Sequence, residues 1–376
     1  MDIINFMTNK VALKKCDQYN FDQVYGAIKN LLELVPPPPV AGKTVLLKPN
    51  ILYAKSPDLA VCTHPVVVGA AVKAFVEMGA KVIVGESPAT TNPTTACKAT
   101  GMYKQIIDNG GIWREFKETV TVHCQEAIST KNFDFAKVIE EADIVVSLSK
   151  LKSHQLMTYT GAMKNLFGLM IGLQKAQQHY RFSTAETFGQ FITDLNIAAK
   201  PQYAIMDAIV GMDGPGGPGS GDPIKLGFLA ASDNILAIDW ECSSLVGYDP
   251  YKVPNLGDAM KRGIWLKSPD QIEVVGDSEE SCRSKSFRIV KQSAGDLAHM
   301  LPGWLQFLAK KVLTKTPHFN PRKCKKCHRC EQICPAHLIS MTGKNNSAHL
   351  DKPNECLHCF CCHEICPADA IKLKRF

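Results

Sequence analysis

Eight cysteines near the C-terminal end are spaced as ligands of iron–sulfur clusters. They fall in two runs, CKKCHRCEQICPAHLI from Cys324 and CLHCFCCHEICPADAI from Cys356, which follow one pattern, C-x2-C-x2-C-x3-C-P, 32 residues apart. In this pattern three thiolates wrap one face of a [4Fe–4S] cubane, and the fourth cysteine, before proline, binds the other cluster. The spacing predicts two [4Fe–4S] clusters, one held by Cys324, Cys327, Cys330 and Cys366 and the other by Cys356, Cys359, Cys362 and Cys334.

The same pattern separates these clusters from a zinc site. A zinc ribbon uses two C-x2-C pairs, which would leave the third cysteine of each run and the proline after the fourth unexplained. A ninth cysteine, Cys361, stands beside the predicted ligand Cys362. We expect Cys361 to be a bystander that could serve as an alternative ligand if Cys362 were lost.

The repeated runs also predict a small duplicated domain. Ile333 and Ile365 occupy equivalent positions, as do Ile339 and Ile371, and we expect these four side chains to form a shared core. Over residues 324–372 the chain closely resembles the bacterial-type two-cluster ferredoxins. That resemblance implies a small α+β fold and one-electron transfer at low potential.

The net charge of +7 is concentrated in the same region. Residues 315–376 contain 11 Lys and Arg against 5 Asp and Glu, so the rest of the chain is close to neutral. Because an oxidised cluster with four thiolates is an anion, the basic tail partly offsets two of them. No basic stripe interleaved with aromatic residues occurs elsewhere, so we expect no nucleic-acid partner.

The first 300 residues alternate strand-like and helix-like segments, which is typical of an α/β fold with a mostly parallel sheet and flanking helices. Strands are predicted at residues 11–15, 44–48, 81–85, 143–148, 203–206, 227–231 and 271–275, and helices at 21–34, 65–78, 94–108, 135–141, 184–199 and 234–246. At 376 residues the chain exceeds one compact domain. We predict an α/β domain over 1–298, a linker helix over 299–318 and the two-cluster domain over 319–376.

Local patterns refine these elements. Ser183 and Glu186 form an S-x-x-E capping box at the start of the helix near residue 184. The segment GPGGPGSGDP at 214–223 lacks the G-x-x-x-x-G-K-[ST] pattern and is predicted to be a flexible loop or lid. No G-x-G-x-x-G occurs, which argues against NAD or FAD. The basic amphipathic stretch at 301–313 is expected to pack on the body as a linker helix, with contact to a membrane surface as the alternative.

Polar residues collect where the predicted strands end. Sheets of this kind bind ligands beyond the carboxyl ends of their strands. These ends carry Lys48 and Asn50, Glu86 and Ser87, Lys150, Lys152 and His154, Asp207, and Asp233. We predict that they form one cleft for an anionic or carbonyl-bearing ligand. In the alternative interpretation the lysines at 150 and 152 are solvated charges and the two aspartates cap following turns or helices.

Several of these segments resemble one prokaryotic family. LLKPN, VGES, SLSKLKSH, TGAMKNLFG, the single His179 and MDAIVGMDGPGGPGSG are together similar to the family known as domain of unknown function 362, over residues 11–247. Some members carry a C-terminal two-cluster ferredoxin. The resemblance brings no reaction, but it implies that the residues on its signature positions are site candidates. These are Lys48, Asn50, Lys152, His154, Lys164, Asn165 and His179.

Three functional hypotheses follow. The first is an oxidoreductase in which two [4Fe–4S] clusters pass electrons from a ferredoxin or reductase to a small anionic or carbonyl substrate, with lysines holding the ligand and His154 or His179 supplying a proton. The second is an electron carrier or adaptor that docks a partner enzyme, and the third a metal- or cofactor-handling protein with His154, His179 and Asp207 as ligands. No segment reaches 18 apolar residues and no secretory signal is recognised, so we expect no transmembrane segment and a cytoplasmic location.

Overall fold

The computed structural model describes residues 7–291, 302 and 315–374. Its larger part is built on a nine-stranded sheet. In chain order the strands of this part are β1 Lys10–Lys15, β2 Thr44–Pro49, β3 Lys81–Glu86, β4 Ile112–Glu115, β5 Thr119–His123, β6 Asn132–Ala136, β7 Ile144–His154, β8 Thr158–Thr160, β9 Tyr203–Asp213, β10 Asp222–Ser232 and β11 Glu273–Gly276. Strands β5 and β6 form a hairpin outside the sheet. The order of the other strands is β11-β1-β10-β9-β7-β2-β3-β4, and β8 pairs with β7. Strands β4, β3, β2, β7 and β9 are mutually parallel, and β10 is antiparallel to both neighbours. The predicted α/β fold with a mostly parallel sheet is confirmed.

Helices cover both faces of this sheet. They are α1 Phe21–Leu34, α2 Pro65–Glu77, α3 Pro93–Ala99, α4 Met102–Asp108, α5 Val138–Glu141, α6 Ala162–Asn165, α7 Gln174–Arg181, α8 Ala185–Ala199, α9 Ile235–Leu245, α10 Pro254–Lys261 and α11 Glu279–Cys282. One apolar core unites α1, α2 and α4 with one face, and the other unites α6, α8, α9 and α10 with the opposite face. Burial on both faces is why β2 and β7 are apolar or buried almost throughout.

Some predicted elements differ from those observed. The helix predicted at 94–108 is broken between α3 and α4 by Gly101, which has a φ of 79°. The helix predicted at 135–141 is observed only as the short α5, because Phe135 and Ala136 belong to strand β6, in which Phe133 and Phe135 are buried while Asn132 and Asp134 face solvent. The capping box of α8 is formed by Thr184 and Thr187 rather than by the predicted residues 183 and 186.

The C-terminal part is a small duplicated module. Its strands are β12 Thr316–Phe319, β13 Ile339–Gly343, β14 Ser347–Leu350 and β15 Ile371–Lys374, and its helices are α12 Arg329–Ile333 and α13 Cys361–Ile365. The backbone repeats with the sequence, because Lys326 and His358 both have left-handed φ values, of 54° each. The small strand-rich region expected from the ferredoxin resemblance is therefore present.

The module has its own core and a second apolar contact with the body. Ile339 and Ile371 lie in the module's core, as predicted. Ile333 and Ile365 do not join them: each is nearly inaccessible and packs into the α/β core on the side of α1 and α2. The prediction of one four-isoleucine core was thus half wrong, because the ends of α12 and α13 attach the module to the body.

Two other predictions concern the connection between these parts. The amphipathic stretch at 301–313 lies outside the described residues except for Pro302, and the predicted linker helix 299–318 is not a helix at its end, since β12 begins at Thr316. Among the described residues, no helix has both the length and the apolar character to cross a membrane.

Candidate functional site

Two hollows in the module are each lined by one of the predicted cysteine sets. The first is bordered by Cys324, Cys327, Cys330 and Cys366. The second is bordered by Cys334, Cys356, Cys359 and Cys362. Each hollow takes three cysteines from one run and the fourth from the other run, so the fold brings together residues that the sequence separates.

The surroundings of these sulfurs fit an iron–sulfur cubane. The backbone N–H of Leu338 donates to Cys334 Sγ at 3.4 Å, and that of Ala370 donates to Cys366 Sγ at 3.3 Å, at equivalent positions of the repeat. Such donors stabilise thiolates in the ligand state. Within the described residues no three His, Cys, Asp or Glu side chains converge on one point as ligands of a single ion. Each set of cysteines instead borders a hollow.

Cys361 faces away from both hollows. Its Sγ contacts the carbonyl of Cys359 at 3.9 Å, and its side chain is buried against the α/β core. It borders a third cavity, between the module and the sheet. The expectation that Cys361 is not a cluster ligand stays a prediction, and its position is consistent with it.

This third cavity lies at the carboxyl edge of the sheet. From β2 the sheet proceeds through β3 to β4 in one direction, and through β7 and β9 in the other, so the β2–β7 border is a topological switch point, where α/β sheets bind ligands. Helix α13 of the module closes the cavity from above. Its open space is about 700 Å³ including the solvent at its mouth. Its polar and charged lining consists of Asn50, Glu86, Ser87, Lys164, Asn165, Lys175, His179 and Glu364.

Four of the seven predicted site residues line this cavity directly, and the other three support it from behind. Asn50, Lys164, Asn165 and His179 form part of the wall. Lys48, Lys152 and His154 are almost completely inaccessible and contact wall residues or their neighbours. The resemblance to the family thus identified one spatial cluster, although the residues are spread over more than 130 positions of the chain.

The buried lysines differ in their partners. Lys48 forms an ion pair with Glu86 and donates to the carbonyl of Pro49 at 2.7 Å. Lys152 donates to Asn50 Oδ1 at 2.8 Å and to the carbonyl of Val61 at 2.7 Å, and no carboxylate of the described residues lies at bonding distance. Burial, which disfavours the charged form, lowers the pKa of Lys152 to about 7.

The two lysines of the wall are the most available cations. Among the described residues, Lys164 has no hydrogen bond and no ion pair within 4 Å, and burial lowers its pKa. Lys175 donates to the carbonyls of Ser87 and Met170, and burial lowers its pKa to about 8. Both residues are half-buried and line the cavity.

A hydrogen-bond chain fixes the amide side chains. Asn165 donates to the carbonyl of Lys48 at 2.7 Å and to Ser147 Oγ at 3.1 Å, and its Oδ1 accepts from Asn50 Nδ2 at 3.3 Å. Asn50 in turn accepts from Lys152. Because each amide is held at both ends, the polar wall is preorganised.

Asp239 holds the backbone from which Lys164 projects. Its carboxylate accepts the N–H groups of Ala162 at 2.6 Å and Met163 at 2.9 Å, at the start of α6. A Cβ at Gly161 would lie 2.0 Å from this carboxylate, so only glycine fits there. Asp239 therefore positions Lys164 and Asn165.

Both histidines are neutral at physiological pH. His154 Nδ1 accepts the N–H groups of Leu156 and Met157, both at 3.1 Å, which places the proton on Nε2. Burial, with a contribution from Lys164, lowers the pKa of His154 far below its usual value. His179 stacks on Phe188 at 4.2 Å between ring centroids, and burial lowers its pKa to about 3.

Sequence reasoning missed Glu364, which the module contributes to the cavity. Its Oε1 lies 3.3 Å from His154 Nε2, without the alignment of a hydrogen bond, and its residue is only 9% exposed. The equivalent residue of the first run is Gln332. A comparison of the two runs would have marked Glu364, because the cluster pattern does not require an acid there. Cys361 and Lys175 were likewise not predicted as lining residues.

The glycine-rich segment supports this arrangement instead of forming a lid. Ser153 Oγ donates to the carbonyl of Gly214 at 2.7 Å, and the hydroxyl of Tyr53 donates to that of Gly219 at 2.6 Å. Residues 217–219 are buried. The ideal Cβ position of Gly219 lies 2.2 Å from the carbonyl oxygen of Glu364. Residues 214–221 form a loop, as predicted, on which the module packs directly, and the flexibility of this loop stays a prediction.

The remaining strand-end residues form a separate buried network. Lys150 pairs with Asp207 at 2.6 Å, and the hydroxyl of Tyr19 donates to Asp207 at 3.0 Å. Lys150 and Lys152 are each about 1% exposed, so the alternative that they are solvated charges is wrong. Asp207 forms its bonds within this network, and Asp233 accepts the N–H of Thr8 at 2.7 Å. Neither aspartate lines the cavity. The described residues do not group His154, His179 and Asp207 as ligands of one metal ion.

Comparisons with known proteins agree with this division of the chain. A family model described as domain of unknown function (DUF362) matches residues 45–244, and a 4Fe-4S dicluster domain model matches residues 316–367. The thylakoid-associated protein sll1697 of Synechocystis sp. (strain ATCC 27184 / PCC 6803 / Kazusa) is 31% identical over 268 residues, which cover 69% of this chain and 81% of that protein.

One solved structure is also similar in part. The lactate racemase apoprotein from Thermoanaerobacterium thermosaccharolyticum matches with a TM-score of 0.35 and 16% sequence identity. The match covers 54% of this chain and 51% of that chain, so it spans about half of each.

Proposed function

Since this chain belongs to the family described as domain of unknown function 362 and carries a 4Fe-4S dicluster domain, we propose that it is an oxidoreductase whose clusters serve the cavity at the edge of the sheet. An iron–sulfur electron-transfer role follows from the dicluster domain itself. The reaction in the cavity is the further step, and it rests on how the module is attached to the body.

We assign two [4Fe–4S] clusters to the two hollows. Their ligands would be Cys324, Cys327, Cys330 and Cys366 in the first, and Cys356, Cys359, Cys362 and Cys334 in the second. When bound, the clusters supply one-electron transfer. Support comes from the repeated N–H groups of Leu338 and Ala370 directed at ligand sulfurs.

The observation that carries the proposal is that one helix borders both sites. Cys362 of α13 lines the second hollow, while Cys361 and Glu364 of the same helix line the cavity. A molecule in the cavity would therefore lie within one helical turn of a proposed cluster ligand. An α/β domain that merely carried the module would not need a polar cavity at this contact.

The charges of the cavity favour a small anion or a polarised carbonyl group. The immediate surroundings contain four lysines, Lys48, Lys152, Lys164 and Lys175, and two carboxylates, Glu86 and Glu364. Lys48 and Glu86 offset each other as a pair. Lys164 is the cation best placed to bind the ligand, with Asn50 and Asn165 fixing its orientation.

A lysine is better suited than either histidine to supply the proton that accompanies reduction. Burial lowers the pKa of Lys175 to about 8, so its ammonium group is an effective acid near neutral pH. His179 is neutral at that pH, since burial lowers its pKa to about 3. In this respect the proposal departs from the expectation that a histidine delivers the proton.

The electron donor would be a ferredoxin or a reductase in the cytoplasm. None of the fifteen cysteines, all of which lie within the described residues, forms a disulfide, which suits a reducing compartment.

The proposal is tested by anaerobic purification followed by titration with candidate ligands. Iron and sulfide are quantified, and the EPR signal of the dithionite-reduced protein is recorded while 2-oxo acids, aldehydes and carboxylates are added singly. We expect about eight iron atoms per chain, as two cubanes require. One compound class should oxidise the reduced clusters and so remove their EPR signal. K164Q is the informative variant, and K104Q is its control because the side chain of Lys104 is 79% exposed and remote from the cavity.

K164Q should weaken binding of the active compound by roughly 10- to 150-fold, since a hydrogen bond to a charged group contributes about 1.5–3 kcal/mol. K104Q should bind it as the unmodified protein does. Equal binding and turnover in K164Q would refute the assignment of the cavity. A reduced signal indifferent to every compound would instead favour the electron carrier or adaptor.

A further inference from the structure

The two cysteine runs have the same backbone but opposite surroundings. In the second run residues 360–365 are buried against the α/β body. In the first run the equivalent loop faces solvent, and Cys327 is exposed while its counterpart Cys359 is half-buried. One hollow of the module therefore faces the cavity, and the other faces outward.

The exposed loop carries a cluster of cations that the buried loop lacks. Arg322, Lys323, Lys325 and Lys326, here named the basic face, are all exposed. The residues 32 positions later are Asn354, Glu355, Leu357 and His358. Since the second run keeps the same cysteine spacing without these cations, the cations are not required for folding around a cluster.

The basic face is also not neutralised by neighbouring residues. Among the described residues, none of its four side chains makes an ion pair within 4 Å. The acid nearest along the chain, Glu331, is paired with His328 at 2.7 Å. The basic face is not explained by a need to offset the negative charge of the adjacent cluster. The second cluster would carry the same negative charge, and the position there that corresponds to Lys323 is the acid Glu355.

We infer that the basic face is a docking surface for an acidic one-electron carrier protein, and that electrons enter through the outward-facing cluster. This inference rests on the proposed function and adds the entry point to it. One electron leaves the reduced carrier and is gained at the outward cluster, and no bond is made or broken. Complementary charge steers such encounters and can raise association rates by about 10- to 1000-fold.

The test uses the full-length protein with its clusters assembled and no substrate present. K323Q/K325Q/K326Q removes three charges from the basic face. K104Q/K117Q/K252Q removes three charges from side chains of the body that are 77–82% exposed, so the net charge of the two variants is equal. Stopped-flow reduction is measured with an acidic [2Fe–2S] plant-type ferredoxin and, separately, with the reduced methyl viologen cation, at low and high salt.

We expect the second-order rate with the acidic ferredoxin to fall at least about tenfold in K323Q/K325Q/K326Q at low salt, and its salt dependence to become shallower. The body variant should keep the original rate, and methyl viologen should reduce all three proteins alike. An unchanged rate with ferredoxin, or equal slowing by both reductants, would overturn the inference. So would preferential binding of the basic face to vesicles of anionic phospholipid over ferredoxin. Failure to find a substrate would leave these rates unaffected, so the two proposals fail separately.

Discussion

Replacing Gly219 by alanine should loosen the module from the body without touching a cluster ligand. The ideal Cβ of residue 219 lies 2.2 Å from the backbone carbonyl oxygen of Glu364, whereas ordinary contacts begin at 3.4 Å. Helix α13 or the glycine-rich segment must therefore move by at least about 1 Å. Inserting a methyl group into a packed contact costs typically 1–3 kcal/mol, which corresponds to a roughly 5- to 150-fold larger population of the undocked state.

Hydrogen exchange followed by mass spectrometry measures that population. In G219A the amides of α13 should exchange faster by roughly this factor, because their protection depends on docking. The matched control is G26A, since a Cβ at Gly26 meets no atom within 4 Å and alanine favours the helix by about 1 kcal/mol. Iron content should be equal in both variants. If α13 exchanged in G219A as slowly as in the unmodified protein, the close packing of segment 214–223 on the module would be wrong.

Three other substitutions test separate parts of the site. C361S should retain about eight iron atoms per chain whereas C362S should lose iron, and equal loss in both would make Cys361 a ligand. Burial lowers the pKa of Lys152 from 10.5 to about 7. Between these pH values the unfolded chain binds a proton that the folded chain does not. Lys152 therefore makes the free energy of unfolding rise by about 1.4 kcal/mol per pH unit. In K152M this rise in the free energy of unfolding should be absent when urea unfolding is measured from pH 7 to pH 9. The same pH dependence in K152M and in the unmodified protein would contradict a buried, neutral Lys152. Burial raises the pKa of Asp239 to about 7, so its carboxyl group is ionised at pH 9. At that pH D239N should destabilise the protein by about 2 kcal/mol, as one backbone N–H loses its charged acceptor, and should weaken ligand binding at Lys164. Binding equal to that of the unmodified protein would show that Asp239 does not position the site.

The sheet could be predicted from sequence because its strands are apolar and regularly separated by helices, but the strand ends could not. Strand β7 was expected to stop at Leu148 and continues to His154. The polar residues of this extension resemble a solvated loop when read alone. They are buried because each finds a distant partner: Lys150 has Asp207, and Lys152 has Asn50. Such pairings become visible only when the strands are placed side by side.

Of the polar cavity lining, Asn50, Lys164, Asn165 and His179 were predicted site residues, whereas Lys175 and the two residues of α13 were not. Residues of the α/β domain could be grouped because they resemble a family pattern. Glu364 and Cys361 belong to a run whose cysteine spacing already had an explanation, and only a comparison with Gln332 and Arg329, at the equivalent positions of the first run, would have marked them. Hairpin β5–β6 is a different case, since the alternation of Phe133 and Phe135 with polar residues was available in the sequence and is typical of a strand.

The duplication of the module has a consequence for how it is oriented. Rotating the module by half a turn would place the first run where the second run now lies, with nearly the same backbone. The module therefore has two faces of similar shape that could pack against the body. Seating the first run against the sheet would place Arg329 where Cys361 now lies, beside Lys164, and would bury like charges together. Side chains such as Arg329 thus favour the observed orientation over the reversed one. A chain in which the two runs were exchanged in sequence order should turn its module around and still present the same residues to the cavity.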